Sequence, residues 1–164
     1  MLYNNPMEEC KNIEFKEKMT DSFLKTVSAY ANYGSGTVYF GITDDGTEIG
    51  IENPKKFCLD MENKINDNIH PKPDFSISAN KKTNIISLHI QEGEDKPYTF
   101  RGKAYRRSGT STVEVDRIAL NRLILEGSGK NFEELPSKNR TCIFRHLHSF
   151  FLNGQEFPKS ILTY

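Results

Sequence analysis

The 164-residue chain has no tryptophan, three cysteines and no net charge, with 22 basic residues against 22 acidic ones. Each shortage excludes something. Cys10, Cys58 and Cys142 are odd in number, far apart and form no Cys-x-x-Cys pair. That excludes a disulfide framework or a cysteine zinc site and fits reduced thiols in the cytoplasm. No apolar run approaches the roughly 20 residues that cross a bilayer, so no membrane partner is expected. Met1–Pro6 is too short and polar for a secretory signal. A formal charge of zero argues against binding nucleic acid through bulk charge, because such binding works by neutralising phosphates. A local basic patch is compatible with it. Neither internal repeats nor low-complexity tracts occur.

What is present is a readable succession of elements. Ile13 and Phe15 alternate with Glu14 and Lys16, which predicts an extended entry over 9–16. Thr20 or Asp21 can cap a helix reaching Asn32, with Phe23, Leu24, Val27, Tyr30 and Ala31 at helical spacing. A strand over 37–43 follows, then a hairpin turn at Asp45-Gly46 with its return at 48–51. Asn53-Pro54 starts a helix over 54–69 whose apolar stripe is Phe57, Met61, Ile65 and Ile69, and Pro71 and Pro73 end it. Residues 74–78 and 85–91 read as an antiparallel pair, and 97–100 with 104–107 as a second hairpin across 101–103. Val115-Asp116 opens a helix to Glu126, with Ile118, Leu123 and Ile124 as its apolar positions. A last helix is expected over 137–152, and the apolar end at 161–164 leads us to expect a following region. The order predicts an α+β fold, a two-layer sandwich of helices on a mixed, mainly antiparallel sheet.

Three acids could carry chemistry. Glu9, Glu14 and Asp44 come from two stretches that a fold can bring together, and carboxylates are the ligands that Mg²⁺ or Mn²⁺ prefers. A metal held there can activate water and stabilise charge on a phosphate. Lys16, two residues after Glu14, is placed like the lysine of a Glu-x-Lys nuclease motif. The same spacing also fits Glu14 and Lys16 as solvent-side strand partners and Asp44 as a turn residue. Arg101, Lys103, Arg106 and Arg107 concentrate positive charge around Tyr98, Phe100 and Tyr105. Arginines grip phosphates and aromatics stack on bases, and hydroxyls at 108–112 add donors. A basic hairpin also serves simply to guard a sheet edge.

Other motifs fail. Gly127-Ser-Gly-Lys130 has Ile124 in place of the first P-loop glycine and Asn131 in place of the final Ser/Thr. Gly34-x-Gly36 leads into a strand with Tyr39 at the third glycine place. No nucleotide cofactor is therefore expected. His146 and His148 fall on different helix faces, and His70 sits at a helix end before Pro71.

Taken in order, Glu9-Cys-x-x-x-Glu14-Phe-Lys16, Val27-Ser-Ala-Tyr-Ala-Asn32, Gly36-Thr-Val-Tyr-Phe-Gly-Ile42, Asp44–Gly46, Ile49–Ile51, Glu62–Ile65 and Gly102-Lys-Ala-Tyr-Arg-Arg-Ser-Gly109 resemble the Schlafen/AlbA-2 domain family. The resemblance covers 7–126, and 127–164 resembles the helical connector that follows such domains in helicase-related or regulator-like proteins. Cys10 stands where the family has serine, and Ser35 where it has glycine. The resemblance implies a nucleic-acid-binding module, DNA or RNA, in a regulator or helicase-related protein. It also implies a second reading, a metal-dependent endoribonuclease with Glu9, Glu14 and Asp44 as catalytic and metal residues, assisted by Lys16. Schlafen nucleases embrace RNA with two lobes, and this chain has one, so a homodimer would rebuild that cleft. A third reading is an oligomerisation or scaffold domain without nucleic acid.

Overall fold

The computed structural model describes residues 9–129. The expected helix over 137–152, Cys142, His146, His148 and the apolar end lie outside the described residues.

Helix α1 (Ser22–Tyr33) is the centre of the fold. Nine of its twelve residues are buried, including Thr26, Ser28 and Asn32 among the apolar ones. A helix covered around so much of its circumference must be packed on more than one side. One side is a four-stranded sheet of β1 (Ile13–Lys16), β2 (Gly36–Phe40), β4 (Phe75–Ala79) and β5 (Ile86–Ile90), in the order β1-β2-β5-β4. β1 runs parallel to β2, and the other two pairs are antiparallel, as the expected mixed sheet requires. Strand alternation divides this sheet cleanly. Val38, Phe40, Ile86, Leu88 and Ile90 enter the main core. Thr37 and His89 share a 3.1 Å hydrogen bond on the opposite face, and Ser78 and Ser87 another of 3.1 Å.

Helix α2 (Pro54–Asn68) starts where Asn53 accepts a hydrogen bond from Lys56 N, and it buries Met61 and Ile65. Phe40 links it to α1, stacking edge-on with Phe23 at 5.6 Å and Phe57 at 5.3 Å between ring centres. Short pairs cover the rest of α1. β3 (Ile69–His70) pairs with β6 (Thr99–Phe100), and β7 (Tyr105–Ser108) with β8 (Ser111–Glu114). Helix α3 (Arg117–Gly127) is capped by Asp116, which accepts from Ala119 N at 2.8 Å.

Three expectations need correction. The return at 48–51 is not a strand, and only Glu48 bridges Ile42. Residues 97–100 and 104–107 do not form a ladder. Arg101 (φ 52°) and Gly102 (φ 75°) make the turn, closed by Phe100 N to Lys103 O at 2.9 Å and the reverse bond at 3.1 Å. Pairing ends there because β6 is already joined to β3, while Ala104 O accepts from Val115 N. β7 instead turns at Gly109 (φ 62°) into β8, so the 108–112 hydroxyl run is a hairpin. In α3 the seam is Ala119, Leu120 and Leu123 against Ala104 and Val115. Ile118 and Ile124 lie roughly 100–140° round the helix from Leu123 and are 64% and 47% exposed.

Candidate functional site

β1 carries an acid where a core residue would be expected. Glu14 shares the helix side of the sheet and is only 4% exposed. Its Oε2 accepts from Thr26 Oγ1 on α1 at 2.9 Å and from Arg107 on β7, while its Oε1 pairs with Lys16 Nζ at 2.8 Å. Thr112 on β8 completes the group, within 3.0 Å of Thr26 and 2.8 Å of Arg107. Three elements therefore converge on one carboxylate. Burying a charge this deeply is tolerable only when it is paired and hydrogen-bonded, and Glu14 meets both conditions.

Glu9 does something different. Thr37 N and Gly41 N donate to Asn12 and Lys16 carbonyls, so Phe15 N points away from β2. Glu9 Oε1 takes that outward N–H at 2.7 Å, closing the free edge of β1. Asp44 is exposed on the turn after β2. Its neighbour Asp45 organises that turn, accepting from Thr47 N at 3.2 Å and from the Thr43 hydroxyl.

Tyr30 lies beside this cluster. Arg107 Cζ is 5.8 Å from its ring centre. Burial pushes the phenol well above its ordinary range; Arg107 opposes this, and Glu14, Cys10 and Glu9 reinforce it. Tyr30 Oη, and Nε and the second terminal nitrogen of Arg107, are buried and find no hydrogen-bond partner among the described residues.

The basic segment divides by strand parity. Tyr105 and Arg107 face inward at 7% and 8% exposure, while Arg106 faces out. Arg107 belongs to the Glu14 pair and Tyr105 to the core, so neither presents itself to a ligand at the surface. Arg101 and Lys103 are exposed. Arg101 pairs with Asp21 at 3.1 Å and lies 4.9 Å from the Phe100 ring centre; Lys103 pairs with Glu114 at 2.7 Å. The hydrogen bond and charge of Glu114 hold Lys103 above its usual pKa, and Lys64 holds Asp21 below the ordinary carboxylate range.

The sequence model of the Schlafen, AlbA_2 family matches residues 9–116. The chain belongs to this family. Among solved structures, this AlbA_2 chain is similar to the N-terminal domain of a RecG-related helicase protein from Nitrosomonas europaea. The two are 24% identical over 69% of this chain and 86% of that one, with a TM-score of 0.49. It is also similar to a Corynebacterium diphtheriae protein, with 21% identity over 65% of this chain and a TM-score of 0.46. The match spans 25% of the Corynebacterium chain. No curated protein matches.

The acidic residues of this AlbA_2 domain do not fit a divalent cation as they stand. Both oxygens of Glu14 are engaged by cations and a hydroxyl, Glu9 is bonded to the β1 backbone, and Asp44 stands on its exposed turn. Among the described residues no group of three or more His, Cys, Asp or Glu is arranged to hold a metal. Nor is any described helix long and apolar enough to cross a membrane.

Two further residues of the AlbA_2 domain matter more than their place in a motif implied. Asn32 holds the Tyr98 peptide from both sides, donating to its O and accepting from its N at 2.8 Å each. Ser28 Oγ donates to Tyr98 O at 2.7 Å and accepts from Tyr105 N at 3.3 Å. One polar ladder on α1 thus positions the chain on both sides of the basic turn. The signal was visible as two polar residues four apart on an apolar helix face.

Proposed function

We propose that this domain binds nucleic acid, with Arg101, Lys103, Arg106 and Lys25 contacting phosphates. The observation that carries the reading is how these cations are distributed along α1. Arg101 stands at its start through Asp21. Lys25 lies in its first turns, 5.8 Å from the Tyr105 ring centre. Arg106 is on the outward face of β7, which packs along α1. Twelve helical residues span about 18 Å, enough to meet several successive phosphates. Lys25 and Arg106 have no carboxylate at ion-pair distance among the described residues. The pairs made by Arg101 and Lys103 are exposed, and exposed pairs are weak because water screens them, so phosphate can displace their carboxylates. Overall neutrality then coexists with a locally basic strip.

Fluorescence anisotropy with labelled single-stranded DNA and with transfer RNA tests this. Salt-sensitive binding that weakens in the Arg101→Ala, Lys103→Ala, Arg106→Ala triple variant is expected. Binding that is absent at low salt, or indifferent to these substitutions, contradicts the reading. A metal-dependent endoribonuclease has no comparable support in the arrangement of Glu9, Glu14 and Asp44.

A further inference from the structure

The two edges of the main sheet are treated differently. At β1 the Cys10–Ile13 bridge and the Glu9 carboxylate close the edge. At β4 nothing comparable is seen among the described residues. Asp74 O accepts from Gln91 N, and Asn80 N donates to Ile85 O, so the even-numbered residues of β4 face β5. Phe75, Ile77 and Ala79 therefore turn their N–H and C=O groups to the open side. The strand reads Phe-Ser-Ile-Ser-Ala and pairs with β5 over all five positions without a bulge. It contains no charge and no proline, the devices that normally blunt an edge. Such an edge is a template for another strand.

We propose that the β4 edge is a self-association surface, at which a second copy of this chain adds its own β4 antiparallel to the first. The strand is complementary to itself. A two-fold axis at Ile77 sets Ile77 opposite Ile77 of the second copy and Phe75 opposite Ala79 of the second copy. The large ring thus lies against the smallest side chain of the strand at both ends. All three outward residues then fall in hydrogen-bonded pairs, giving about six new backbone hydrogen bonds. Ser76 meets Ser78 of the second copy on the other face, a favourable hydroxyl pairing. The nearest charge before the strand is Asp74 and the nearest after it is Lys81. Antiparallel pairing brings these opposite signs together and parallel pairing does not. The contact is isologous and closes at two copies. It also covers Phe75 and Ile77, which are partly buried at the margin of the main core.

Sedimentation velocity on the full 164-residue chain tests the proposal, across roughly 5–500 µM to bracket micromolar affinity. A concentration-dependent monomer–dimer equilibrium is expected. Ala79 is exposed, so Ala79→Lys and Ala79→Pro leave the folded monomer intact by circular dichroism. Ala79→Lys removes the small side chain facing Phe75, and Ala79→Pro removes an outward N–H. Each should weaken dimerisation by about tenfold or more, while Glu9→Gln at the opposite edge leaves it unchanged. A chain that stays monomeric throughout overturns the proposal. So does a dimer that survives both Ala79 substitutions, which would place the interface elsewhere.

Discussion

Arg107 and Glu14 stand 93 residues apart in sequence and meet as an ion pair, their side chains 3% and 6% exposed. The pair ties β7 to β1 across α1 and gives both residues a structural task. Removing Glu14 strands the Arg107 charge in the core, which costs about 3–5 kcal/mol for a buried pair, whereas removing Arg107 leaves Glu14 with Lys16 as its remaining counter-charge. Glu14→Gln is expected to lose stability on that scale in urea denaturation, and Arg107→Met to lose less, because Lys16 and Thr26 still hold the carboxylate. The double variant Glu14→Gln, Arg107→Met should recover most of it, because no uncompensated charge then remains. Glu14→Ala should also destabilise, so loss of any activity in that variant must be read beside its unfolding curve.

Asn32 supplies a second expectation. Its amide satisfies the N–H and the C=O of Tyr98 in the interior. Ser28 still donates to the Tyr98 C=O, so Asn32→Ala strands the Tyr98 N–H, and it should lose about 1–3 kcal/mol in chemical denaturation, the cost of one buried group left unpaired. It should also loosen the segment carrying Arg101 and Lys103, seen as faster amide exchange at 98–105.

Tyr30 gives the chain an alkaline weakness. Its phenol pKa is raised by burial in the folded state, so between the unfolded value near 10 and the folded value the native state holds the extra proton. Stability from this group is complete below about pH 10 and declines as pH rises further. Tyr30→Phe should flatten that decline in pH-dependent melting curves. At neutral pH it should be near neutral or slightly stabilising, since the hydroxyl has no partner among the described residues.

The exposed cations should behave in the opposite way to Arg107. Arg106→Ala and Lys103→Ala are expected to leave the urea midpoint almost unchanged, because both side chains stand in water. In anisotropy titrations with single-stranded nucleic acid, each should lower the magnitude of the log–log salt slope by about 0.7 for every phosphate contact removed.

Much of this was legible from local pattern. The periodicity of Phe57, Met61 and Ile65 marked α2, the Asp116 cap marked α3, and the β4–β5 pair followed from alternation and turn residues. The β7–β8 hairpin was not legible, because Ser108–Thr112 reads equally well as a polar loop until β6 has found β3. The seam of α3 departs from its apolar pattern at Ile118 and Ile124 for a related reason. Apolar residues surround that helix, and only the position of Ala104 and Val115 selects the face that is buried.

The amino-acid sequence by itself determined the three helices, the β4–β5 pair and the strand parity that separates Arg106 from Tyr105 and Arg107 on either side of it. It also carried the ordered motifs of the family over residues 9–116. Only the tertiary structure decided which parity faces inward, and therefore that Arg107 is spent on Glu14 while Arg106 is left outside. Alternation and helical period are set by the geometry of neighbouring residues. The partner of a buried charge is set by contacts between residues distant in sequence, and for Glu14 that partner arrives only when β7 closes over α1.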